Sequence, residues 1–342
     1  MPTEDFPLYI HGQGAVSSAG IGADALHAAC AEKREIPASS LERILGEKTI
    51  SYALRPVDPD ALKAAMPKHP RLRRASNVTK FAVTAAHEAI GSERLEKLKN
   101  RELNIGIILT FLNGCVNYSN RFFGEVLEDP SFASPILFPE TVFNAPASHI
   151  ATYLDCDGPV YTLIGDSATW FSALTIADDW IADGLVDGCL ILCAEEADWL
   201  SLEGLRLYSR EFIATEGAAA IYVEAKPSDI SISRLKGPFP YTDSTGRRAA
   251  IAEAFDENGG ALLIDGLSSV KRMDKDEAEI TSSFSGSRIS PAAILGEGMG
   301  IRCGFQTIAA IGALRDGAAS ATILASGSNQ HAFSATLTRT SQ

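Results

Sequence analysis

The chain has 342 residues, 46% of them apolar and 21% charged, with a formal charge of −13. This composition excludes disorder, collagen-like repeats and fibres, and a chain of this length buries enough surface to fold without disulfide or metal staples. The acidic balance also opposes broad binding to nucleic acid or anionic membranes, which requires a surplus of Lys and Arg.

Six cysteines stand at 30, 115, 156, 189, 193 and 303, none in a C-x-x-C pair. Cys189 and Cys193 share one face of an apolar strand, about 13 Å apart, too far for a bridge or a shared metal. The opening MPTEDFPLYI has no cationic leader, and nowhere do eighteen apolar residues run together. The expectation is a cytoplasmic protein with reduced, buried thiols, no membrane span, no metal and no cofactor.

Apolar runs alternate with helical patterns, which predicts an α/β protein with sheets covered by helices. A first strand covers Leu8 to His11 and enters a glycine-rich turn. A helix follows over 76–90, a strand over 104–110, a short helix over 145–153 and a strand over 160–164. Next come a helix over 168–183 and strands over 189–194 and 218–224. After Lys226-Pro227-Ser228 the rhythm restarts with strand 229–235, helix 247–255, strand 261–265 and helix 275–284. It closes with an apolar segment at 292–295, helix 301–315 and strands 321–325 and 333–338. The repeated order predicts an internal duplication, with a first half over 1–227 and a shorter second half over 228–342.

Several short patterns carry chemical meaning. Gly12-Gln13-Gly14 follows a strand but lacks the third glycine and the acidic partner of a dinucleotide fingerprint, so its glycines are read as a tight turn with positive φ. In TLIGDSATWFSALTIADDWIADG a strand turns at Gly165-Asp166-Ser167 directly into an amphipathic helix. That places Ser167 where a nucleophile stands, at a helix N-terminus that favours developing negative charge. Asp166, Ser167 or Thr169 as a simple helix cap is the competing reading. Among the histidines, only His331 follows Ser167 in the chain, in the Ser/Gly/Asn-rich turn SGSNQHAF. It is the candidate base, or an ordinary loop histidine. His149 is read as a packed or capping residue. A basic cluster of Lys68, Arg71, Arg73, Arg74 and Lys80 is either a solvated face before a helix or a landing surface for an acidic partner.

At these residues the chain resembles the β-ketoacyl synthases of the thiolase-fold superfamily, over nearly its whole length. LYIHGQGAVSSAGIG resembles the opening strand, LRRASNVTKFAVTAAHEAI the first long helix, and SPILFPETVFNAPASHIATYLDCDGPVYTL the approach to the nucleophile. IADGLVDGCLILCAEEA and AILGEGMGIRCGFQTIAAIGALRDG resemble the following segment and the late glycine-rich turn with its helix. Phe138-Pro139 and Asn144-Ala145 are the most particular marks. The resemblance implies a five-layer α-β-α-β-α sandwich built from two similar halves.

It also implies a chemistry, a decarboxylative condensation in which a cysteine takes an acyl chain from a carrier protein and two histidines serve the malonyl unit. The cysteine's position falls on Ser167. The first histidine's falls on Leu267 or Ser268, ahead of Asp276 and Glu279, which fit the family's acidic pair; the second falls on Glu297. Serine is a far weaker nucleophile than thiolate without a base, and an ionised Glu297 would repel a carbanion. The resemblance therefore implies a non-condensing, chain-length-factor-like subunit that pairs with an active ketosynthase in fatty-acid, polyketide or polyene synthesis. An acyl carrier protein would dock at Arg71, Arg73, Arg74 and Lys80. Two alternatives stand beside it. One is an acyltransferase or thioesterase using Ser167, with His331 as base and Asp265 or Glu297 orienting it. The other is a homodimeric acyl-binding protein.

Overall fold

A computed structural model of the chain describes residues 8–256, 260–327 and 331–340. The first half contains β1 (Leu8–Ser17), β2 (Gly20–Ile21), α1 (Ala23–Ala31), β3 (Ser39–Leu45), β4 (Lys48–Arg55), α2 (Pro59–Ala65), α3 (Asn77–Lys99) and β5 (Ile105–Phe111). It continues with α4 (Val116–Glu128), α5 (Ala145–Leu154), β6 (Val160–Ile164), α6 (Thr169–Ala182), β7 (Gly188–Glu195), α7 (Trp199–Tyr208), β8 (Ala214–Thr215) and β9 (Gly217–Glu224). The second half contains β10 (Ile230–Pro240), α8 (Ser244–Ala254), β11 (Leu262–Ile264), α9 (Lys271–Ile280) and β12 (Ser287–Ile289), then α10 (Pro291–Leu295), α11 (Arg302–Arg315), β13 (Ser320–Ser326) and β14 (His331–Arg339).

The order of strands is the same in the two stretches of chain. The first half runs β6-β5-β7-β9-β1 and the second β12-β11-β13-β14-β10, so corresponding strands take corresponding places. In both, the three strands at the outer edge are parallel and the two nearest the junction join antiparallel. The halves meet where β1 pairs antiparallel with β10, Leu8 opposite Ile232 and Tyr9 opposite Ser231.

Helices sort into three layers around the two half-sheets. α3 lies on the outer face of β1, β7 and β9, and α5 packs beside it. α6 and α11, with α1 against α11, fill the space between the half-sheets; α8 covers the far face of β10, β13 and β14. The central layer joins both halves in one apolar core reaching from Leu8 to Leu337. Strands buried on both faces, such as Ile105–Phe111, read as continuous apolar runs for that reason. The hairpin β3–β4, which pairs with β8, forms a small satellite core with α7.

Gly12 and Gly14 correct the reading of a turn. β1 continues through both to Ser17, and neither residue has positive φ. What these positions require is the absence of a side chain: a Cβ on Gly12 would lie 1.9 Å from the Ala89 carbonyl oxygen, and one on Gly14 2.1 Å from that of Ala85. The glycines let α3 rest directly on the strand. α3 itself starts after Ser76, whose hydroxyl accepts from Thr79 N–H, and passes a break at Gly91 (φ 70°) before ending at Lys99.

The six thiols are unpaired; five are buried and Cys156 is half-buried. Burial pushes Cys303 up to about 12 and Cys193 higher still. Among the described residues no helix is long and apolar enough to cross a membrane, and no group of His, Cys, Asp and Glu is arranged to hold a metal ion.

Candidate functional site

Ser167 sits in the turn between β6 and α6 and is 1% exposed. Gly165 N–H donates to Phe111 O, which ties the turn to β5. No side chain caps α6. Instead, the Asp166 carboxylate accepts from Ala168 N–H at 3.2 Å, one residue before the helix. The N–H groups of Thr169, Trp170 and Phe171 donate to the carbonyls of Asp166, Ser167 and Ala168. Donors that would hold an oxyanion at this helix end are thus engaged locally.

The Ser167 hydroxyl hydrogen-bonds with the buried Cys303 thiol and meets Arg302, a residue the sequence patterns do not single out. Its Nη2 donates to Ser167 Oγ at 3.1 Å and to Ser326 O at 2.6 Å. Its Nη1 donates to Glu297 Oε2 at 3.2 Å and to Gly266 O at 3.4 Å. Burial works against the charge, but Glu297, with Cys303, Glu277 and Asp166 behind it, outweighs that effect and holds the guanidinium above its ordinary value. A guanidinium keeps its charge in a protein and has no lone pair to offer a proton, so it orients the serine oxygen without activating it.

Glu297 is 7% exposed, and its other oxygen accepts from Met299 N–H at 2.8 Å. Ser268 is bound by its hydroxyl and its N–H to the Asp274 carboxylate. Ser268, Glu297 and Arg302 line one cavity of about 50 Å³ together with Asp166 and Glu277. Glu277, 2% exposed, accepts from Gly266 N–H at 2.6 Å and from the Ser326 hydroxyl. Arg247 Nη2 donates to the same hydroxyl at 3.2 Å. The two arginines and Glu277 lock the loop after β11, the end of β13 and the start of α11 into one polar network. Asp276 meets Arg247 at 3.6 Å and also pairs with Arg248, while Glu279 pairs with Arg248 alone.

His331 is the first residue of β14, its ring edge-on to Phe333 at 5.0 Å. Burial lowers its pKa against the opposing charge of Asp166, and its Nε2 has no hydrogen-bond partner. No hydrogen bond joins it to Ser167 among the described residues; residues 328–330 of the preceding loop lie outside them. Asp265 is fully buried at the end of β11. It accepts from Leu267 N–H at 3.3 Å and faces Arg288 at 3.7 Å. His149 Nε2 meets Glu140 Oε1 at 2.8 Å.

Arg71 and Arg73 lie on a short 3-10 turn that buried Leu72 anchors; Arg74 follows it, and all three are exposed. Arg71 donates to Thr152 Oγ1, whereas Arg73 and Arg74 have no ion pair among the described residues. Lys80, half-buried on the first turns of α3, donates to Asn77 Oδ1. A large apolar surface lies elsewhere. No residue of α4 is buried, Phe123 and Leu127 stand exposed on it, and Phe132 in the next turn is 83% exposed. The edge strand β6 adds Val160, Tyr161 and Ile164.

One signal for Arg302 does exist in the sequence: it is the sole charge in IRCGFQTIAAIGAL, a segment that otherwise reads as buried. Glu277 has none, because KRMDKDEAEI reads as a solvated charged face.

No protein-family model matches the chain, and no curated protein sequence does. Solved structures do. The ishigamide ketosynthase/chain length factor superposes with a TM-score of 0.80 at 16% identity, covering 98% of this chain and 100% of that one. A ketosynthase (ApeO) in complex with its chain length factor (ApeC) from Xenorhabdus doucetiae gives 0.79 at 13% identity, covering 98% of each chain. A type II PKS acyl-carrier protein in complex with its ketosynthase bound to the hexaketide (AntDE:AntF) gives 0.78 at 17% identity, covering 98% of this chain and 100% of that one. The fold is the thiolase-like sandwich of these structures.

Proposed function

We propose that this chain is a non-condensing subunit of the chain-length-factor type, which pairs with a catalytic β-ketoacyl synthase and helps shape an acyl chain that an acyl carrier protein delivers. The observation that carries the reading is the Ser167–Arg302–Glu297 relay. Where the family places a thiolate and a histidine, this chain has a hydroxyl held by a guanidinium and a carboxylate paired to the same guanidinium. Such a set offers no activated nucleophile, because no base stands at the hydroxyl among the described residues and the amino groups of the guanidinium are already engaged.

A catalytic partner would supply what is missing, and the apolar face of α4, Phe132 and edge strand β6 is the surface we assign to it. Unpaired strand edges and large apolar patches are costly in a lone soluble chain and favour association. The exposed Arg71, Arg73 and Arg74, with Lys80, form the surface we assign to an acidic carrier. We read residues 1–227 and 228–342 as the two units of the duplication, and a reducing, cytoplasmic setting suits six unpaired thiols.

Co-expression with a catalytic ketosynthase tests the reading. Expected are a one-to-one complex, condensation that depends on both chains, and no acyl adduct on this chain by intact mass. A stable homodimer that ignores the ketosynthase, or acylation at Ser167 in the isolated chain, would overturn it.

A further inference from the structure

A second cavity opens on the other side of α7, inside the satellite core formed by hairpin β3–β4, α7 and segment 209–214. It is a half-open groove with a volume of about 160 Å³, of the order a single ring needs. Tyr52, Leu202, Leu205 and Ala214 are its buried walls, Ile50 and Phe212 extend the apolar side, and Ser51, Ser209, Arg206 and Arg210 make a polar rim. A small satellite core with an unfilled apolar space loses packing contacts that an occupant would restore.

The polar groups around this space are nearly all satisfied by one another. Tyr52 Oη donates to Glu203 Oε2 at 2.8 Å, and Arg206 grips the same carboxylate through Nε and Nη2. Arg43 stacks 3.4 Å above the Trp199 ring. One cation is left over. Arg210 lines the cavity, is exposed, and has no hydrogen bond or ion pair among the described residues. A groove of ring size with an apolar wall on one side and a free guanidinium on its rim selects a ligand with the complementary pair of features. A cationic ligand would meet the charges of Arg206 and Arg210, and a neutral one would leave Arg210 unused.

We propose that this cavity binds a small aromatic carboxylate, with its ring among Leu202, Leu205 and Phe212 and its carboxylate on Arg210. The site is separate from Ser167 and Arg302, so it stands whether or not the chain pairs with a ketosynthase.

Calorimetry and saturation-transfer NMR on the full chain, with benzoate and its neutral isostere benzamide as probes, test this. Expected are saturable benzoate binding, at least tenfold weaker benzamide binding, and loss of that preference in Arg210→Ala. Ala53→Trp, at an exposed position on the cavity wall, should abolish binding of both probes while leaving thermal stability intact. Because Arg210 and Ala53 are exposed, neither change threatens the fold. Absence of benzoate binding to the wild type, equal affinity for the two probes, or binding that survives both variants would overturn the proposal.

Discussion

Arg302 Nη2 lies 3.1 Å from Ser167 Oγ, although the two residues are 135 positions apart in the chain. The contact makes the turn that carries Ser167 one corner of a buried polar network. Each polar atom it joins is buried, so removing the guanidinium leaves Glu297 and the Ser326 carbonyl without their shared donor. Arg302→Ala should therefore cost about 3–5 kcal/mol, the usual penalty for breaking a buried pair from one side. Chemical denaturation measures it. Adding Glu297→Gln to Arg302→Ala should recover part of the loss, and an Arg302→Ala cost below about 1 kcal/mol would show that the network is not structural.

Ser167 carries a much smaller share of that network. Ser167→Ala removes one of four acceptors from Arg302, which predicts a loss of about 1 kcal/mol. Condensation by the paired complex should stay within about twofold of wild type, since a residue outside the chemistry contributes nothing to the barrier. A drop in rate of a hundredfold or more with Ser167→Ala, at unchanged complex formation, would return Ser167 to the role of nucleophile.

The framework was legible because its signals are local. Runs such as IGIILTF and GCLILCAE announce buried strands, and the order of runs repeats between halves as the strand order does. Three features stayed hidden for physical reasons. Hairpin β3–β4 is mostly exposed, so SSLERIL lacks the apolar alternation of a covered strand. The apolar residues of α4 stay exposed, so its pattern reads like that of a buried helix although no residue of it is buried. Arg302 gains its role only from Ser167, Glu297 and Ser326, which the fold brings together.

Glycine shows the same limit at single residues, because positive φ and close packing demand the same residue type. Gly12→Ala would drive its Cβ against the Ala89 carbonyl, and α3 would have to lift from β1. A loss of about 3 kcal/mol or more is expected. Gly124 in α4 is the contrasting case: nothing lies within 4 Å of the Cβ it would gain, and its φ is not positive. Gly124→Ala should stabilise the isolated chain by about 0.5–1 kcal/mol through helix propensity. Denaturation midpoints of the two variants should move in opposite directions, and a tolerated Gly12→Ala would refute the close-approach explanation.

Three buried carboxyls set the expected response to pH. Burial pushes Glu195, Glu216 and Asp265 each up to about 7; hydrogen bonds from Leu112 and Asn113 to Glu195, and from Ala197 and Val57 to Glu216, pull the other way. Glu277 adds to the effect on Asp265. A carboxyl whose pKa is higher in the folded than in the unfolded state binds its proton more tightly when folded. Its contribution is full below the unfolded value and is lost as pH rises through the folded one. Stability should therefore fall between about pH 5 and pH 8, by roughly 1–3 kcal/mol for each such group. Glu195→Gln mimics the protonated form and keeps an oxygen for the Leu112 and Asn113 donors. Thermal melts across this range should show a flatter dependence in Glu195→Gln than in wild type, with the variant gaining most at pH 8. Parallel curves would mean that Glu195 does not carry its proton into the folded state.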